Sequence, residues 1–120
     1  MKKEAAKNPE INHISVGDVF TYELVHGRTG NPTDAVIVRI ESKDMFHGCI
    51  IINHDGEEAL HPWGGSFSSN DIVAIIDHWD ADRIVRALET GMNITQIRFW
   101  TQQEFDKLRE RAQEPPLVLI

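Results

Sequence analysis

The stretch Phe46-His47-Gly48-Cys49-Ile50-Ile51-Ile52-Asn53, ending at the turn signal His54-Asp55-Gly56, limits the possible folds more than any other part of the chain. Side chains alternate between faces along a strand, so Ile50 and Ile52 point one way while Cys49 and Ile51 point the other. Both faces are apolar. Such a strand needs cover on both sides, by a closed barrel wall on one and a helix on the other. A two-residue turn at Asp55-Gly56 would pair His54 with Glu57 and Ile51 with Leu60, and would bring His61 beside Ile50.

The flanking segments extend this into a β-rich unit. Ile14 to Val25 alternates, with β-branched and aromatic residues, and predicts a first strand. Gly27-Arg28-Thr29-Gly30-Asn31-Pro32 is dense in turn formers. Ala35 to Glu41 predicts a second strand, and Ser42-Lys43-Asp44 a turn into the isoleucine stretch. Pro62-Trp63-Gly64-Gly65 breaks the ladder, and Ile72 to Ile76 predicts a last core strand. Five short strands with tight turns predict a small, strongly bent antiparallel barrel over residues 14–76.

Helical signals follow, over 79–114. Asp80 is placed to cap a helix whose apolar positions Ala81, Ile84, Val85 and Leu88 recur at helical spacing, with Gly91 at its C′ position and Trp79 and Ile84 as a hydrophobic staple. Gly91 to Ile94 reads as a hinge, and Ile94 to Phe99 as a sixth short strand. Thr101-Gln102-Gln103-Glu104 is a capping box stapled by Trp100 and Phe105. The helix it opens, Gln102 to Gln113, carries only Phe105, Leu108 and Ala112 as a narrow apolar stripe, and Pro115-Pro116 ends it. The apolar tail, 115–120, needs a dock. It adds a strand to this chain's own sheet, or it joins the second helix in a homodimer contact. The fold class is therefore α+β, mainly β, with residues 1–12 as a flexible lead.

Charge narrows the partners. The 120 residues fit one domain. They carry 12 Lys+Arg against 19 Asp+Glu, a net charge of −7 spread evenly over both halves. Duplex nucleic acid draws its affinity from cationic neutralisation of phosphates, so this balance disfavours it. The single Cys49 excludes an internal disulfide and a multi-thiolate zinc site, and favours a reducing compartment. The opening decapeptide has no apolar core of the secretory kind, and no stretch approaches the ~20 apolar residues of a membrane span. A cytoplasmic protein with no membrane segment is expected.

Candidate chemistry is sparse. His47, Cys49, His54, Asp55, His61 and His78 are possible metal ligands, but the hairpin register puts His61 and Cys49 on opposite faces unless a bulge at Gly48 shifts it. The expectation is no metal and no cofactor. Asp77, Asp80 and Asp82 cluster where a helix start favours acids for cap and dipole reasons. Cys49 lies in an apolar run that raises a thiol pKa, which argues against a nucleophile. The more specific feature is His61-Pro62-Trp63-Gly64-Gly65-Ser66-Phe67. Here Trp63 has no helix to staple and no alternation to place it inside. As a site, Trp63 offers stacking area, His61 a switchable donor, and Gly64 and Gly65 close backbone approach. The competing reading makes Trp63 a core plug at the barrel end.

Val16-Gly17-Asp18-Val19, then Gly27-Arg28 and Gly30, then Ala35-Val36-Ile37-Val38 resemble the opening of the SH3-like barrels of plasmid-maintenance ribonuclease toxins. The same Gly-Asp-Val opening resembles barrels associated with pseudouridine synthases. The first resemblance implies RNA cleavage by a loop arginine, Arg28, with a hydroxyl on a later strand; Asn31 stands where that family has a second arginine. The sequence thus favours a non-enzymatic binding or regulatory domain that recognises a protein or small ligand through His61, Trp63, Gly64, Gly65 and Arg28. The alternatives are a toxin-like ribonuclease or metal-assisted hydrolase, and single-stranded nucleic-acid binding by stacking on Trp63.

Overall fold

A computed structural model describes residues 11–22 and 33–119. The predicted loop Gly27 to Pro32, with Arg28, and the last residues of the predicted first strand lie outside them. The elements in order are β1 (His13–Ile14), β2 (Asp18–Tyr22), β3 (Thr33–Ser42), β4 (Met45–His54), β5 (Glu57–Leu60), β6 (Gly65–Phe67), β7 (Ile72–His78), α1 (Ala81–Thr95), α2 (Gln102–Arg111) and β8 (Leu117–Val118).

The main sheet is antiparallel in the order β5-β4-β3-β2-β7, with β6 also on β4. The protein is mainly β with two helices. The barrel expected from the sequence is corrected, because among the described residues β7 pairs with neither β5 nor β6 and the sheet stays open. It is covered on both sides all the same. One face packs Val19, Val36, Val38, Cys49 and Leu60 against the helices. The other buries Phe20, Ala35, Ile37, Phe46 and Ile72 beneath Phe67 and the chain ends.

Strands β2 and β3 are both more enclosed than the isoleucine strand. Ala35 to Val38 are four consecutive buried residues, alternating between the two clusters. On β4, Cys49 and Ile51 face the helices and Ile50 faces away, as alternation predicts. Yet Ile50, Ile51 and Ile52 are only half-buried, since that end of β4 is flanked by the short edge strand β5. The hairpin has the expected register, His54 opposite Glu57 and Ile51 opposite Leu60, and the His61 N–H donates to the Ile50 carbonyl at 2.9 Å. Asp55 and Gly56 both take positive φ, 52° and 81°, which matches the twist of a two-residue hairpin loop.

Other departures have local causes. The first predicted strand is split. The Asp18 carboxylate accepts from the Ser15 N–H at 2.9 Å, which turns the chain between β1 and β2. The expected core strand β7 is an edge in which only Ile72 is buried. Register shifts leave Val73 and Ile76 as bulged residues, and both are exposed. Gly91 is not a helix end, and Gly91 to Ile94 form no hinge. Helix α1 continues to Thr95 and is closed by Gln96 in the left-handed region, φ 64°. Gly91 lies inside the helix because a Cβ there would run into the Leu60 carbonyl of β5. Ile94 to Phe99 is the end of α1 and a connector, not a sixth strand.

The caps at Asp80 and Thr101 form, accepting from Arg83 N and Glu104 N, and Trp100 stacks on Phe105 at 5.9 Å and 12°. The tail docks within the chain: β8 pairs with β1, Ile14 opposite Leu117, as a separate two-stranded sheet, while Leu117 and Leu119 pack on the Phe20 cluster. Among the described residues no helix is long and apolar enough to cross a membrane.

Candidate functional site

The Trp63 segment is a bulge in a continuous antiparallel partner of β4. Before it, Ile51 pairs with Leu60; after it, Gly48 pairs with Gly65 and Phe46 with Phe67. The register moves by two residues, so β5 and β6 form one interrupted strand and the Pro62-Trp63-Gly64 excursion holds the surplus. Sequence reading took Gly65 to Phe67 for loop because three residues are too few to show alternation. Pro62 is fully buried, and its carbonyl accepts from Trp100 Nε1 at 2.9 Å, which ties the bulge to the start of α2. Gly64 lies so close to Gly48 that a Cβ would overlap the Gly48 carbonyl oxygen and touch Cys49 Sγ at 3.1 Å.

With its base fixed on both sides, the bulge turns Trp63 outward at 68% exposure. The core-plug reading is thereby set aside. His61 Nδ1 lies 3.2 Å from Trp63 N and 3.1 Å from Trp63 O. A ring with a free Nδ1 lone pair accepts from the amide, and one protonated there donates to the carbonyl. Either way His61 braces the bend.

Beneath the bulge is a cavity of about 280 Å³ between the sheet and α2. Trp63, Gly64 and Gly65 line it, and His61 does not. Val38 and Cys49 form part of its floor, and Phe99, Trp100, Glu104 and Arg111 enclose it from the connector and α2. The sequence-predicted bulge residues are thus brought together with Trp100 and Glu104, assigned from sequence to a helix start, with Phe99, assigned to a sixth strand, and with Arg111, given no role.

Arg39, His47 and Ser66 also line the cavity, and they sit directly opposite one another across β3, β4 and β6. Strict alternation from Ile37 would place Arg39 among the Phe20 cluster. A register shift at Val38 returns it to the helix side, and the clash of a charge with an apolar face was the available sequence signal. Arg39 Nη2 donates to His47 Nε2 at 2.8 Å and pairs with Glu41 at 3.1 Å. Because a guanidinium only donates, His47 Nε2 carries no proton in this arrangement.

The other candidates do not converge. Among the described residues no three His, Cys, Asp or Glu side chains form a metal-binding group. His54 lies beside Asp55 at the hairpin tip, 3.5 Å away. His78 pairs with the largely buried Asp18 at 2.9 Å. Asp80 caps α1, and Asp82 meets Arg109 at 3.3 Å.

Cys49 is 1% exposed, and burial pushes its thiol from near 9 up to about 12. The folded state therefore holds a proton that the unfolded chain releases, so stability present below about pH 9 is lost as pH rises toward 12. Thiol labelling around pH 8 is expected to be roughly a thousandfold slower in the native protein than in denaturant. In denaturation curves, Cys49→Ala should remove part of the alkaline loss. Fast native labelling would place the sulfur in solvent.

The chain matches no family model, no curated protein and no solved structure.

Proposed function

We propose that the protein is a binding or regulatory domain that recognises a small molecule in the cleft between the Trp63 bulge and α2. One observation carries this reading: a large aromatic side chain, 68% exposed, is held over a cavity by a tethered bulge. An amphipathic ring over a concave site supplies contact area with only two torsions to freeze. Phe99, 57% exposed and edge-on to Trp100 at 6.4 Å, extends the aromatic rim. A cavity of about 280 Å³ suits one small ligand better than an extended peptide. The ribonuclease reading gains nothing here, since Arg28 lies outside the described residues.

The test is to titrate the intact, isotope-labelled chain with a set of small aromatic and polar fragments and follow its amide resonances. Binders are expected to move residues 63–66, 99–104 and 111. Trp63→Ala should abolish those shifts while changing unfolding free energy by no more than about 0.5 kcal/mol, the usual range for an exposed site. Shifts that survive in the variant, or no fragment that moves these residues, would refute the assignment.

A further inference from the structure

Two opposite charges in the cleft have no partner among the described residues. Glu104 is the third residue of α2, where a capping box would turn its carboxylate back to the Thr101 N–H. Only the forward half forms, the Thr101 hydroxyl accepting from Glu104 N at 3.2 Å. Among the described residues the Glu104 carboxylate makes no hydrogen bond or ion pair, and it lines the cavity. Arg111, at the other end of α2, is likewise unpaired among the described residues and lines the same cavity. Neighbouring cations are engaged: Arg39 with Glu41 and His47, and Arg109 with Asp82 and Asp106. Seven residues separate Glu104 from Arg111, two turns or roughly 10 Å along the axis, so they lie on the same side of the helix. Long side chains at that separation avoid direct pairing yet can both reach a guest between them.

Resting on the small-ligand reading above, we infer that the cleft binds a small amphoteric molecule with a flat body. Its carboxylate or other acidic group meets Arg111, its protonated amine meets Glu104, and its ring lies against Trp63 and Phe99. A purely anionic ligand would leave Glu104 as a repulsive neighbour, and a purely cationic one would face both Arg111 and Arg39. Only a guest with both signs satisfies both free groups. The cavity also limits its size to about one ring and its polar arms.

Three matched probes test this: L-phenylalanine, phenethylamine and 3-phenylpropionate, each titrated into the full chain with tryptophan fluorescence and amide shifts as readouts. L-Phenylalanine should bind about tenfold more tightly than either analogue, the scale of one charge-assisted hydrogen bond. Arg111→Gln should erase its advantage over phenethylamine, and Glu104→Gln its advantage over 3-phenylpropionate, with melting temperatures essentially unchanged. If either analogue binds as well as the amino acid, or the variants leave the ranking intact, the two-handled assignment is overturned. If none of the three binds while other fragments still shift residues 63–66 in a Trp63-dependent way, the amphoteric ligand is refuted and the cleft reading stands. If those shifts are also missing, both fall.

Discussion

Gly91→Ala is expected to destabilise the protein by about 3 kcal/mol, although in an isolated helix the same change would stabilise by about 1 kcal/mol. Gly91 is buried inside α1, against β5. A methyl group there overlaps the Leu60 carbonyl oxygen and comes within 2.8 Å of the Leu60 carbonyl carbon. Those are backbone atoms, held in the ladder with Ile51, and no rotamer change relieves the contact. Helix α1 must lift, and with it Ile84, Leu88 and Met92 lose their fit against Val36 and Leu60. Packing therefore outweighs propensity. In thermal unfolding the midpoint should fall by about 10 °C for a domain of this size. A midpoint equal to or above wild type would mean that α1 does not sit this closely on β5.

Phe20→Ala is expected to cost about 3–5 kcal/mol, a third or more of the total stability of a typical domain. The Phe20 ring is fully buried at the centre of the face opposite the helices. It meets Phe46 at 5.5 Å and 85°, Phe67 at 5.1 Å and 78°, and Tyr22 at 5.8 Å. Equilibrium urea unfolding should show a lower midpoint at similar slope. The ring also explains the missing side chain at Gly48, where a Cβ would stand 3.1 Å from Phe20 and 3.2 Å from Phe67. Gly48→Ala should thus be costly in the wild-type background and less so once Phe20 is Leu, with the remaining cost set by Phe67, a coupling readable in a double-mutant cycle. Additive costs would show that the two positions do not share that space.

Local chemistry made part of this fold legible. Asp55-Gly56 determines its hairpin within four residues, and Asp80 and Thr101 cap their helices through bonds spanning three, so neighbouring letters carried the whole signal. Gly91 was misread because its reason lies on another element: a glycine required by Leu60 looks the same in sequence as one that ends a helix. Trp63 was identifiable as a site residue because nothing nearby could bury it. Arg111 and Glu104 were not, since the first had no local partner to single it out and the second read as half of a cap. Only the folding of α2 over β3, β4 and β6 brings them to the same cleft.

The two-residue surplus between β5 and β6 has a consequence for how such a cleft can be altered. The three residues of the outcrop lie outside the ladder, so its length can change while Phe67 stays opposite Phe46 and Ser66 opposite His47. One-residue surpluses at Val38, Val73 and Ile76 are absorbed in the same sheet with pairing resumed beyond them. The reach of the indole is thus adjustable without disturbing the ribbon that carries it.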